Sequence, residues 1–466
     1  MTHNAQKKYD LVIKGGTVFR FSPDSATIAN IGVVGRKIAA VSADPMDGRR
    51  IVDATGRCVA PGFIDFHSHV SGKIFSAECV LRQGATTTIG GERNFDGKLI
   101  RQISEKGFLI NHGFYISQSF TLRRAVGMRD VYRAASASEI AEMNMLAEQF
   151  LKNGAFGVHF GLEYVPGTSE AELTGIAEVA KAYDRILLIH MRGDGKTALK
   201  HFKEVEKIMR ETGVAVHLLH LAYMTGFSGI MPEALSVIRR MRSEGYDITA
   251  DTGLYAAYPN CVGSSLLKGD WMKRYGREEE IKMMISSGIY TGEFCTEEKF
   301  LYLRENFPAT LVTVFACDES EIARAVREPY MLISSNAADG PHYENVGHPE
   351  TAGTFPRLIG RYARDEKHLT PAEAIRKITW GPAQRFRIPD KGNIAEGFDA
   401  DMVIFNYESI IDKADYVGFG DPNAPPAGID CVIVNGEIVC RGAEVYGDKK
   451  PGSYLQYRET QRGIHT

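Results

Sequence analysis

The sequence predicts an α/β protein, with βα units around a parallel sheet and a smaller β unit assembled from both chain ends. Three observations carry this. Between residues 62 and 388, strand-like apolar runs alternate with stretches of helical spacing, the pattern of βα units on a parallel sheet. Short β elements dominate up to residue 60 and return after residue 400. Between them, Pro61-Gly62-Phe63-Ile64-Asp65-Phe66-His67-Ser68-His69 reads as a buried strand that ends in two histidines.

In chain order, Tyr9 to Ile13 alternates, and Lys14-Gly15-Gly16-Thr17 reads as a turn into a strand over Val18 to Phe21. Ile31 to Val34 and Ile38 to Val41 are further short strands. The β-branched run Gly84 to Ile89 is strand-like, Glu139 to Leu151 has helical spacing, and Gly154 to Phe160 returns to strand. Ser169 to Tyr183 is a helix opened by Ser169 with Glu172 three residues on. Then come strand Ile186 to His190, helix Ala198 to Thr212, strand Val214 to His220, helix Pro232 to Glu244 and strand Tyr246 to Ala250. Tyr330 to Ser335 is a late strand and Pro371 to Trp380 a helix. The stretch from Asn260 to Phe307, with Trp271, Met283-Met284 and Tyr302, breaks the alternation and reads as a helix-rich insertion over the mouth of the fold. At the far end, Ala400 to Phe405 is an apolar strand, and Cys431 to Val434, Asn435-Gly436 and Glu437 to Val439 form a hairpin with an Asn-Gly turn.

Whole-chain properties narrow the function. The chain has 466 residues, 44% apolar and 24% charged, the composition of a soluble globular protein and the length of a barrel plus a smaller partner. A net charge of −3 gives no electrostatic reason to expect nucleic acid. No window approaches the ~18 uninterrupted apolar residues of a membrane span, and the polar Met1 to Tyr9 does not read as a signal peptide. Seven scattered cysteines without a Cys-x-x-Cys point to a reducing cytoplasm.

The chemistry is carried by histidines at strand ends. On a strand, alternate side chains share a face, so His67 and His69 are able to face one cavity, as two ligands of one metal ion must. Imidazole suits zinc, iron, nickel or copper. His190 and His220 each end a predicted strand, and in parallel barrels the carboxyl ends of strands line the active site. His217, three residues before His220, is expected on the opposite face in a packing or supporting role. Asp339, in the Asp339-Gly340 loop after Met331 to Ser335, is either a turn former or the carboxylate that hydrolysis needs to move a proton from water to the leaving nitrogen.

The segment Pro61 to His69 resembles the first-strand signature of the amidohydrolase superfamily, which implies a closed (β/α)8 TIM-like barrel inserted in a small β-sandwich built from both chain ends. On that plan residues 1–61 and 389–466 form the sandwich and 62–388 the hydrolase barrel, with a lid insertion around 260–307. Further motifs are similar to the N-acyl-D-amino-acid deacylase (D-aminoacylase) branch, over residues 9 to about 455: Gly154-Ala155-Phe156-Gly157, Gly161 to Gly167, His190-Met191-Arg192, His348-Pro349, Gly353 to Arg357 and Val434-Asn435-Gly436. The resemblance implies His67, His69, His190 and His220 as metal ligands, Asp339 as the catalytic acid and base, and one or two zinc ions. It also places Arg192, Tyr255, Tyr258 and His348 at the substrate; a tyrosine there donates to the substrate carbonyl or carboxylate, and the alternative for either tyrosine is packing in the core.

Three departures from that family pattern stand out. Gly90-Gly91-Glu92-Arg93 replaces the family's Asn-Cys pair, so Glu92 is expected to stand in for the cysteine ligand, with Glu163 as its rival; carboxylate oxygen is a zinc ligand. No lysine lies between Gly154 and Tyr164, which argues against a carboxylated-lysine bridge. Ala222 stands where the family often has lysine, and Glu350 replaces the arginine of His-Pro-Arg; an acid there is expected to repel a substrate carboxylate. The expected function is zinc-dependent hydrolysis of a C–N amide bond in a small molecule, with no nucleic-acid or membrane partner and with homo-oligomerisation left open. The alternatives are a cyclic-amide hydrolase of the hydantoinase or dihydroorotase kind, and a catalytically silent scaffold.

Overall fold

The computed structural model describes residues 9–70, 74–92, 98–276, 278–337 and 345–457. Eight parallel strands run in chain order around a nearly closed barrel: Phe63–Ser68, Ala85–Glu92, Asn111–Ser117, Gly157–Gly161, Ile186–His190, Ala215–Leu218, Ile248–Thr252 and Met331–Ile333. The first and eighth strands are not laddered together, but the seam is bridged just beyond them. The His69 N–H donates to the Ala337 carbonyl at 2.7 Å, and the Ser335 N–H donates to Asp65 Oδ1 at 3.1 Å. Apolar residues that alternate along the strands fill the interior: Ile64, Phe66, Ile89, Tyr115, Leu188 and Leu332 pack around Phe386, with the Phe66 and Phe386 rings stacked at 4.8 Å.

Helices cover the outside where the sequence supplies caps. Ser136 opens Ala137–Lys152 with a reciprocal capping box to Glu139. Ser169 Oγ accepts the Glu172 N–H and opens Glu170–Ala182. Gly213, left-handed at φ 66, stops Ala198–Thr212. Among the described residues no helix is long and apolar enough to cross a membrane.

Both chain ends build one nine-stranded sheet. Its seam is the antiparallel pairing of Cys58–Pro61 with Met402–Phe405, Val59 opposite Ile404. Leu11, Ile31, Val59, Ile404 and Ile433 meet in a common core, so the sheet curls on itself as the expected sandwich. The Asn-Gly hairpin forms between Ile429–Val434 and Glu437–Arg441, with φ 48 at Asn435 and 81 at Gly436, the two positive values a type I′ turn requires. A polar knot joins sheet to barrel. Asp401 accepts from Asn111 Nδ2 at 3.0 Å, from Lys391 Nζ at 2.6 Å and from the Asn435 N–H at 2.6 Å.

The segment after the seventh strand departs from expectation. It is built on a three-stranded antiparallel sheet, Ala257–Cys261, Lys282–Ile285 and Leu311–Phe315. Three short 3-10 turns and the single α-helix Glu297–Asn306 complete it. Met283 and Met284 sit in an edge strand rather than in a helix, because pairing with the central strand Leu311–Phe315, and the bridge from Met284 to Phe294, override methionine's helical preference.

Candidate active site

The histidines converge on one buried carboxylate. Asp251, in the seventh strand, has no exposed surface. Its Oδ2 lies 3.0 Å from His67 Nδ1 and 3.3 Å from His217 Nε2, and its Oδ1 accepts the His220 main-chain N–H. Burial alone would raise the pKa of this carboxyl; the charge of His67 and the hydrogen bonds from His217 and His67 hold it far below the usual carboxylate range. An ionised carboxylate only accepts, so the His67 Nδ1 facing it carries a proton, and in the neutral imidazole the lone pair is then on Nε2. The His67 ring lies 5.8 Å from His69 and 5.2 Å from His220, centroid to centroid.

His217 corrects the expectation of an outward-facing residue. The sixth strand ends at Leu218, and His220 lies beyond it in a left-handed conformation, φ 34. The two-residue period therefore does not reach His220, and both imidazoles point inward. His217 sits one layer below, edge-on to Phe66 and Phe386, with Nδ1 2.7 Å from Thr249 Oγ1.

His190 and His220 form the second half of the cluster. His190 Nδ1 faces His220 Nε2 at 3.1 Å, and His220 Nδ1 is buried with no hydrogen-bond partner. Burial lowers the His190 pKa to about 3 and that of His220 well below the ordinary imidazole value. Both are thus neutral, the form that binds a metal. Two nitrogens each about 2.0–2.1 Å from a tetrahedral zinc stand roughly 3.3 Å apart, so this pair fits one edge of such a site. Among the described residues no group of three His, Cys, Asp or Glu side chains is arranged to hold a metal ion. Two of the residues expected there are not available for that count: Asp339 lies outside the described residues, and Glu92 ends the second strand with its side chain outside them.

Glu163, the rival ligand, is tied up. Its Oε2 lies 3.0 Å from His190 Nε2 and its Oε1 accepts from Arg274 Nη1 at 2.6 Å. Arg274 comes from the segment after the seventh strand and also pairs with Asp194 at 3.0 Å. Burial, against the pull of Arg274, raises the Glu163 carboxyl to about 7; burial and the neighbouring Glu163 do the same for Asp194.

The four expected substrate residues scatter. Tyr258 has its hydroxyl 2.6 Å from that of Tyr275, which in turn donates to Asp194 at 2.9 Å. Tyr255 donates to Asp412 at 3.1 Å and packs edge-on against His348, 5.8 Å away. His348 is fully buried, and its Nδ1 accepts the Glu350 N–H at 3.3 Å. Arg192 is not brought to the cluster. It turns outward to Glu204 at 2.7 Å and to the carbonyls of Pro166 and Thr168, because the partner that satisfies its guanidinium lies on the next helix, Ala198–Thr212.

Glu350 also differs from expectation. It is fully buried, accepts from Tyr223 Oη at 2.8 Å and from Asn336 Nδ2 at 3.4 Å, and burial pushes its pKa well above the ordinary value. It is therefore a buried, bonded acid turned to Tyr223 and Asn336 rather than a free repelling anion. Sequence reasoning passed over the roles of Asp251 and Arg274. The usable signal was a lone acid inside an apolar strand, Ile248-Thr249-Ala250-Asp251-Thr252, since a carboxylate there must have partners.

Residues 58–439 match the family model of the amidohydrolase family. The chain is 30% identical over 473 residues to the N-acyl-D-glutamate deacylase of Alcaligenes xylosoxydans xylosoxydans, covering 92% of this chain and 93% of that one. It is 30% identical over 485 residues to the D-aminoacylase of the same organism, covering 94% and 96%. Among solved structures, it is similar to the N-acyl-D-glutamate deacylase of Bordetella bronchiseptica, complexed with zinc and a phosphonate mimic of the tetrahedral intermediate. That likeness has a TM-score of 0.84 at 26% identity, over 97% of this chain and all of that one.

Proposed function

Because the chain belongs to the amidohydrolase family, we propose that it is a zinc-dependent hydrolase of the C–N amide bond in an N-acylated amino acid or a related small amide. The observation that carries this reading is the convergence of His67, His190 and His220 over Asp251 at the carboxyl ends of the barrel strands. His67, His69, His190 and His220, with Glu92, hold the metal. Asp251 orients this set by accepting hydrogen bonds from His67 Nδ1–H and from the His220 main-chain N–H, as outer partners of ligating imidazoles do. When bound, zinc supplies a Lewis acid that polarises the amide carbonyl and brings the pKa of water toward ~7. Asp339 takes the proton from the attacking water and gives it to the leaving nitrogen. A C–O bond forms, the C–N bond breaks, and a carboxylate and an amine leave. Tyr258, Tyr255 and His348 are read as the candidates for substrate contact. The absence of a disulfide among the seven cysteines supports a cytoplasmic enzyme.

Glu92 takes the place of the cysteine found in similar deacylases, while Glu163 serves Arg274 and His190. Glu92→Ala is therefore expected to lower zinc stoichiometry or affinity more than Glu163→Ala does, as read by metal analysis after dialysis. The reverse ranking transfers the ligand role to Glu163.

The substrate is best read as lacking an acidic side chain. Ala222 offers no cation and Glu350 is a bonded acid. Arg192 is engaged by Glu204, and Arg357 by Asp412 at 3.0 Å and by the Leu254 carbonyl. A buried substrate carboxylate left without a charged partner typically loses a few kcal/mol. The test is a zinc-supplemented panel of N-acetyl-D-amino acids, their amides and cyclic amides. Neutral N-acyl compounds are expected to be turned over best. Preference for N-acetyl-D-glutamate sinks the specificity reading, and no turnover of any amide sinks the hydrolase reading.

A further inference from the structure

Glu350 opens the helix Glu350–Arg357 and is fully buried, where an acid is costly unless bonded. Its two donors come from different turns of the barrel mouth. Tyr223, which donates to Oε2 at 2.8 Å, stands three residues beyond His220, its ring 6.0 Å from that imidazole. Asn336, which donates to Oε1 at 3.4 Å, follows the eighth strand in a left-handed conformation, φ 48. The next residue, Ala337, accepts the His69 N–H through its carbonyl. The residue after the seventh strand accommodates the arrangement: a Cβ at Gly253 would run into Tyr223 Oη. No step of the proposed reaction uses Glu350.

We propose that Glu350 is a positioning residue, a clamp that ties the turn after the sixth strand to the turn after the eighth and so sets the spacing between His220 and His69. The position calls for two acceptors facing two donors, and a carboxyl group has them. Glutamine keeps one acceptor for Tyr223 and satisfies Asn336 if that amide turns over. Leucine offers neither. The effect on catalysis rests on the metal-hydrolase reading; the clamp itself does not.

The experiment compares Glu350→Leu, Tyr223→Phe, the double variant and Glu350→Gln on the full chain, with and without zinc. Amide hydrogen exchange is read in peptides covering 219–226 and 331–337. Glu350→Leu and Tyr223→Phe are expected to speed exchange in both peptides about tenfold, in the metal-free protein as well, while Glu350→Gln exchanges like wild type. With zinc, the same two variants lose about tenfold or more in kcat with KM little changed. The double variant is no worse than the poorer single one, because both remove the same tie. Wild-type exchange at both turns in Tyr223→Phe, which removes one hydroxyl and leaves the core filled, overturns the clamp even if Glu350→Leu fails to fold. So do additive losses in the double variant. If no amide is hydrolysed by the wild type, the functional reading fails and the exchange data alone decide the clamp.

Discussion

Alanine at His190 or at His220 is expected to leave a folded protein that neither retains zinc nor hydrolyses amides. Both imidazoles are buried and neutral, and their facing nitrogens, 3.1 Å apart, fit one edge of a tetrahedral metal site. The two rings pack at the barrel mouth against each other, His67, Tyr164 and Tyr223, so removal is expected to cost packing locally without dissolving the fold. Circular dichroism and metal analysis on the same samples read the two effects apart. The losses should exceed the roughly 10–100-fold expected for an outer partner of the ligands, a range in which Asp251→Asn is predicted to fall. That substitution keeps the shape but cannot accept from His67, His217 and the His220 main chain at once. Full metal content in both histidine variants removes them from the site.

Asp339→Asn is expected to keep its zinc and lose at least about 100-fold in turnover, the lower end of what a general acid–base contributes. Asparagine is nearly the same size but neither takes the proton from water nor returns it to the leaving amine. Wild-type metal content with collapsed kcat supports the assignment. Turnover at the wild-type rate takes Asp339 out of the mechanism.

Local signals in the sequence proved dependable where neighbouring residues decide the conformation. Ile186 to His190 is a strand with the bounds expected from its apolar run, Ser169 caps its helix, and Asn435-Gly436 turns its hairpin. His67, His190 and His220 could be nominated because they end such strands. What stayed hidden depends on partners far along the chain. Glu163 meets Arg274 across 111 positions and Tyr223 meets Glu350 across 127, and nothing local announces either pair. His220 itself lies past its strand in a left-handed turn, so the two-residue period misjudged the side on which His217 lies. Arg192 follows His190 by two residues, yet its guanidinium goes to Glu204 on the barrel exterior. The resemblance to a family supplied the closed barrel and the role of Asp339; periodicity alone supplied neither.

The account's central claim is metal-dependent hydrolysis of a C–N bond, and chelation followed by zinc titration tests it most directly. The protein is stripped with a chelator, dialysed and assayed for amine release from N-acetyl-D-methionine and from its amide as zinc is added back. The account predicts no release from the stripped protein and a rise that saturates at one or two zinc ions per chain. Amine release that is equal with and without zinc, or none at any zinc level, contradicts it.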